Sequence, residues 1–305
     1  MKGLGQMGMI VLDDEIVDEG SAGLSFTSPG FAYAACVFEG ICIYKKVDGT
    51  LCLFRLDDHL RRLEASMLAL GFEGRPDIYT LRKRVLKAVK ISQIDSDGHI
   101  RLMAYVDGDT TIGSRGPVRT AIVVRAVQDR PSDRRGVRCH ISTWRRPADT
   151  AMPARIKCTA NYAVGRLATL EAERAGADTP ILLSNEGAVS ESATANFFAL
   201  RGGVLCTPRI CDGILEGITR NTIIRLWNES GRSPVQERRI DRSELVDCEA
   251  IFLCGSLWEI TSVLSIDNAI FNSDHVDITW LKEKYHDTVR DIGSNLFWCS
   301  GIDQI

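Results

Sequence analysis

The stretch Gln128-Asp129-Arg130-Pro131-Ser132-Asp133-Arg134-Arg135-Gly136 is dense in charge, holds a proline and a glycine, and has neither helical nor strand periodicity. That is the profile of an exposed linker. Its place near the middle of a 305-residue chain constrains the fold to two units. The division predicts a small N-terminal α/β domain over 1–125, a linker over 126–136 and a larger C-terminal domain over 137–305.

Each side of the linker mixes strand and helix signals. Ile41–Tyr44 and Leu51–Arg55 are β-prone runs joined through Asp48-Gly49, a hairpin turn signal. Asp57 is placed to cap a helix whose Leu60, Leu63, Met67 and Leu70 recur at helical spacing, with Gly71 as its stop. A second helix is predicted from Asp77, with Leu81, Val85 and Val89 on one stripe, and strands at about 99–106 and 119–125. Beyond the linker the pattern predicts a strand over Val137–Trp144, a helix from about Ala160 to Ala175 ended by Gly176, and hairpins turning at Asn185-Glu186-Gly187 and Gly202-Gly203. Gly217 opens a further helix containing Ile223, Ile224 and Trp227, closed by Gly231.

A net charge of -3 gives no electrostatic reason to expect nucleic acid or an acidic membrane surface as partner. No run reaches the roughly 18 apolar residues a bilayer span needs, and the N-terminus lacks a signal-peptide pattern. The ten cysteines include no C-x-x-C pair, so no metal site is expected. They read as reduced, buried thiols of a cytoplasmic protein.

Single residues in this chain are not diagnostic, since a lysine before a helix is usually solvated and a glutamate at a hairpin edge is usually surface charge. Their ordered co-occurrence is. Val37-Phe38-Glu39-Gly40, the run Phe54-Arg55-Leu56-Asp57-Asp58-His59-Leu60-Arg61-Arg62-Leu63, Lys157 through Asn161-Tyr162, Val189-Ser190-Glu191 through Asn196-Phe197-Phe198, Leu215-Glu216-Gly217-Ile218-Thr219-Arg220, and Gly255-Ser256 through Glu259-Ile260-Thr261 follow one another along the chain. Together they resemble the motifs of fold-type IV enzymes dependent on pyridoxal 5'-phosphate (PLP), with Phe-Glu-Gly and Glu-Ile-Thr leaning toward the branched-chain amino acid aminotransferases.

The resemblance implies an α+β fold of two α/β domains with the active site between them, a homodimer, and transfer of an amino group between an amino acid and a 2-oxo acid. It implies that Lys157 forms the Schiff base with PLP and, once released, shuttles the α-proton. By the same resemblance Glu191 pairs with the pyridine nitrogen and Tyr162 bonds the phenolic oxygen. Arg62, Ser256, and the backbone about Leu215, Gly217, Ile218 and Thr219 meet the phosphate, a helix start being a ready anion site.

Tyr33, Phe38, His99, Arg101 and Leu257 fall at positions that line the substrate pocket in the family. Strand alternation puts Ile100, Leu102 and Ala104 on one face and His99, Arg101, Met103 and Tyr105 on the other. Branched-chain enzymes have Tyr-x-Arg where this chain has His99-Ile100-Arg101, and an interdomain loop with a tryptophan and a tyrosine where residues 126–136 have no aromatic. A more polar or larger substrate than leucine or isoleucine is therefore an open alternative. A PLP lyase resembling aminodeoxychorismate lyase, which uses the same lysine and glutamate, is a second one. A third, a protein keeping the fold without catalysis, would be expected to lack Lys157 or Glu191, and both are present.

Overall fold

The computed structural model describes residues 8–108, 111–292 and 298–301. β1 (Met9–Leu12) and β2 (Glu15–Asp18) pair antiparallel, and a short helix α1 (Pro29–Ala32) follows, capped by Ser28. β3 (Cys36–Lys45) and β4 (Leu51–Phe54) form the hairpin expected at Asp48-Gly49. Gly49 takes φ 84°, and Asp48 Oδ1 accepts the Thr50 N–H at 2.9 Å. The helix α2 (Leu56–Ala69) buries Leu60, Leu63 and Met67. Its start departs from expectation: Arg55, in the left-handed region at φ 52°, is the N-cap, without a side-chain cap. Asp57 and Asp58 instead occupy the first turn, where their charge complements the helix dipole. Asp77 does cap α3 (Ile78–Ser92), its carboxylate accepting the Thr80 N–H.

β5 (Gly98–Val106) and β6 (Val118–Ala126) complete the N-terminal strands. The first unit's sheet has seven strands, ordered from the C-terminal strand Cys299–Gly301 through β4, β3, β5, β6 and β1 to β2. The C-terminal strand pairs Cys299 with Phe54 and Gly301 with Cys52. This unit comprises the chain to Gln128, Ile156–Ala160 and the stretch from Asp287, and the second unit comprises Asp129–Arg155 and Asn161–His286. The division at 137–305 is corrected accordingly. Backbone pairing recruits two distant segments to the first sheet, and one of them carries Lys157.

In the second unit β7 (Val137–Arg145) is followed by α4 (Tyr162–Arg174), β8 (Thr179–Leu183), β9 (Val189–Ser192), β10 (Asn196–Arg201), β11 (Val204–Thr207), α5 (Ile218–Asn228) and β12 (Gln236–Glu237). β13 (Ala250–Gly255), β14 (Glu259–Ile266), β15 (Ala269–Ile270) and α6 (Val276–Val289) complete it, α6 belonging to this unit as far as His286. Both hairpins, β8–β9 and β10–β11, turn where the sequence predicts. The strand order is β12-β11-β10-β13-β14-β7-β8-β9, and an Asn196–Glu191 pairing joins β9 back to β10. Six strands thus close on themselves around Val137, Ile141, Ile181, Phe197, Leu253 and Val263, leaving no open edge along that ring.

Two further expectations are corrected. Cys52 and Cys299 form a disulfide that ties the C-terminal strand to β4, whereas Cys36, Cys139, Cys158, Cys206, Cys211, Cys248 and Cys254 are free thiols. Burial pushes the Cys36 thiol up to about 12, consistent with a packing role. The linker is not exposed throughout, because Arg130 is only 5% exposed and pairs with Glu259 at 3.1 Å.

Candidate active site

In the first unit the candidate residues gather along residues 36–40 of β3. One edge of this stretch pairs with β5, and the other meets the segment around Lys157. The Phe38 N–H donates to the Lys157 carbonyl at 3.0 Å, Val37 pairs with Cys158, and the Lys157 N–H donates to Ser66 Oγ on α2 at 3.2 Å. These bonds hold the lysine backbone and leave its side chain on the Phe38 face, with Nζ 4.7 Å from the ring centroid. Arg101 lies over the same ring at 4.8 Å. Two cations therefore lie over one aromatic ring, each attracted by its quadrupole.

Strand alternation sorts the remaining groups as the sequence predicts. Ile100, Leu102 and Ala104 are fully buried on one face, while His99 and Arg101 sit on the other, opposite Cys42 and Gly40. A Cβ on Gly40 would come within 2.7 Å of His99 Nε2, so the imidazole rests where the strand has no side chain. Tyr33 is half-exposed at the end of α1.

Glu39 points the other way, toward α2, and is fully buried. Arg62 Nε and Nη2 donate to its two oxygens, each at 2.7 Å, and His59 Nδ1 lies 2.7 Å from Oε2. Burial alone would raise this carboxyl, but the Arg62 guanidinium, by charge and by hydrogen bond, holds it well below the ordinary carboxylate range, with His59 adding to the effect. Burial also keeps the His59 imidazole below its usual value, against the pull of Glu39. Arg62, expected at the phosphate, is thus held in place by a bidentate carboxylate. Glu39 and His59 lie within quoted motifs, but sequence reasoning assigned neither a role.

In the second unit a separate group of candidate residues is centred on Glu191, which is 3% exposed at the closure of the strand ring. Asn196 Nδ2 donates to Oε2 at 2.8 Å, the Leu215 N–H lies 3.2 Å from both carboxylate oxygens, and Arg146 Nη2 pairs with Oε1. Arg146 is itself buried, donates to the Asn161 carbonyl at 3.3 Å, and has its Nε buried without a partner. A carboxylate so held stays in one orientation. Sequence reasoning assigned no role to Arg146 or Asn196, the two side chains that hold this carboxylate. Arg146 follows a strand with no motif around it, and only the fold brings it to Glu191.

Asn196 Nδ2 also donates to the Leu215 carbonyl at 2.9 Å, and a Cβ on Gly217 would meet Asn196 Oδ1 at 1.9 Å. Gly217 is the N-cap of α5 and has no side-chain cap, so Ile218 and Thr219 head the helix with their N–H groups toward its open end. Tyr162 begins α4 and is half-buried. Ser256 and Leu257 lie in the turn between β13 and β14.

These donors fit the cofactor that the resemblance implies. A rigidly held buried carboxylate suits a protonated pyridine nitrogen, an uncapped helix start suits a phosphate, and Lys157 supplies an amine.

Residues 36–266 match the family model described as "Amino-transferase class IV". The chain is 32% identical over 293 residues to a probable branched-chain-amino-acid aminotransferase of Aquifex aeolicus, covering 93% of each. It superposes with a TM-score of 0.93 and 33% identity on a branched-chain aminotransferase of Thermoproteus uzoniensis solved with norvaline, over 97% of this chain and all of that one. A T.th. branched-chain amino acid aminotransferase, complexed with N-(5'-phosphopyridoxyl)-L-glutamate, matches at TM-score 0.91 and 27% identity over 98% of this chain and 99% of its own. Among the described residues no helix is long and apolar enough to cross a membrane.

Proposed function

The chain belongs to the class IV aminotransferases, and on that premise we propose how its residues divide the work and what they act on. It is a PLP-dependent transaminase. Bound PLP supplies an electron sink for the substrate's α-carbon, and the protein's task is to hold, orient and exchange protons. Lys157 Nζ bonds the cofactor covalently and, when released, moves the α-proton. Glu191 keeps the pyridine nitrogen protonated, with Arg146, Asn196 and the Leu215 N–H fixing the carboxylate. Tyr162 bonds the phenolic oxygen. The phosphate is received by the N–H groups of Ile218 and Thr219, by Ser256 and by Arg62, with Leu215 and Gly217 shaping the backbone around it. The observation that carries this assignment is the buried Glu191 with three donors converging on it.

The substrate is an amino acid of branched-chain type or a more polar variant, with a 2-oxo acid as partner. Tyr33, Phe38, His99, Arg101 and Leu257 line its pocket. Arg101 over Phe38, beside an imidazole seated on Gly40, supports a polar or anionic side group. The glutamate adduct carried by the T.th. relative is consistent with this. No observation favours the lyase alternative. The same reading includes a homodimer, for which the exposed Leu24, Phe26, Phe31 and Tyr33 offer a surface, and a cytoplasmic location.

Borohydride reduction of the purified enzyme should fix the cofactor on Lys157 alone, and Lys157→Ala should lose both the covalent bond and turnover. Label recovered on another lysine would overturn the assignment.

A further inference from the structure

Ser256, Leu257 and Trp258 form a three-residue turn between β13 and β14, with Gly255 paired to Glu259 across its base. A hairpin of this length closes with a residue in the left-handed region, a position suited to glycine. Here that residue is Glu259, at φ 46°, so the backbone bears a strain that glycine would relieve. Its side chain is engaged at both oxygens. Oε1 pairs with Arg130 Nη1 at 3.1 Å, and Oε2 accepts Ser132 Oγ at 2.8 Å. Arg130 is 5% exposed despite lying in a segment of linker composition, and Asp133 closes that segment by accepting the Arg130 N–H at 2.7 Å.

The turn is secured elsewhere too. Trp258 Nε1 donates to Thr194 Oγ1 at 3.0 Å, and Thr261 Oγ1 donates to the Trp258 carbonyl at 2.6 Å. Thr194 and Thr261 thus hold Trp258, and Arg130 and Ser132 hold Glu259 at the foot of the turn whose Ser256 is assigned to the cofactor phosphate. A phosphate site depends on donors fixed before the anion arrives, because a mobile turn loses entropy on binding.

We infer that Glu259 is a positioning residue for the phosphate site: bracketed by Arg130 and Ser132, it holds the Ser256 turn in its anion-receiving conformation. This rests on the assignment of Ser256 proposed above. It gives the Arg-Pro-Ser-Asp part of the linker a function in cofactor binding in addition to connection.

The test uses full-length protein freed of cofactor and titrated with PLP and with pyridoxal, which lacks the phosphate. The ratio of the two affinities isolates the phosphate's share, whereas general loss of structure lowers both. Arg130→Met and Glu259→Gln should each lower the ratio roughly tenfold, the worth of one charged hydrogen bond, with pyridoxal affinity held within about twofold. Arg130→Lys should restore most of it. Glu259→Gly suits the backbone and keeps the fold if the other variants do not, and it should still lower the ratio. An unchanged ratio in these variants, with Ser256→Ala lowering it, overturns the inference alone. An unchanged ratio in Ser256→Ala as well overturns the assignment of Ser256 and the inference with it.

Discussion

Gly217→Ala tests the second unit's architecture with the least chemical change. At φ -71° and ψ 133° the backbone there suits any residue, so only space excludes a side chain. An added Cβ would lie 1.9 Å from Asn196 Oδ1, whereas real contacts of this kind do not fall below 3.0 Å. Asn196 must therefore retreat by about 1.1 Å (3.0 less 1.9), far enough to lengthen both of its hydrogen bonds, to Glu191 at 2.8 Å and to the Leu215 carbonyl at 2.9 Å. One bond is charge-assisted and the other neutral, so their combined worth is about 2–4 kcal/mol. Denaturant unfolding should register most of that loss, and PLP affinity should fall because the carboxylate and the start of α5 shift together. In Asn196→Ala the main clash is gone and only the tight approach to Arg220 Cβ, at 3.2 Å, remains, so the double variant should cost much less than the sum of the single variants, a clear departure from additivity. Additive costs, or a Gly217→Ala protein with unchanged stability and cofactor affinity, would refute the reasoning.

Glu191→Gln should retain PLP but slow turnover at least roughly a hundredfold, about 2.7 kcal/mol of barrier, because a neutral amide no longer favours the protonated pyridine; single-turnover absorbance measures this. Glu39→Gln should lose about 3 kcal/mol of stability near neutral pH by breaking the buried ion pair with Arg62. The folded Glu39 carboxyl sits below its unfolded value, so its contribution is present in full above the ordinary carboxylate range and is lost as pH falls. The gap between wild type and Glu39→Gln should therefore narrow on acidification, as unfolding curves at several pH values will show. Arg101→Met should raise KM steeply for a dicarboxylate such as 2-oxoglutarate and much less for an aliphatic partner. His99→Tyr should shift preference toward branched-chain substrates, and steady-state kinetics that change equally for all substrates would leave both side chains as structural.

Taken alone, the sequence determined whatever depends on neighbours in the chain. Helical spacing specified α2, α3 and α4, turn residues specified the β3–β4, β8–β9 and β10–β11 hairpins, and period-two alternation separated Ile100, Leu102 and Ala104 from His99 and Arg101. Because cofactor groups were matched to ordered motifs, Lys157, Glu191 and the start of α5 were legible as a set. What only the tertiary structure decided comes from pairing over long separations. It returned Lys157 to the first sheet beside Phe38, brought Arg146 to Glu191 across 45 positions, and joined Cys52 to Cys299 across 247. It also buried Arg130 of a charged, proline-bearing segment against Glu259. No local pattern encodes such contacts, because a buried charge is stable only where its partner is delivered by another part of the fold.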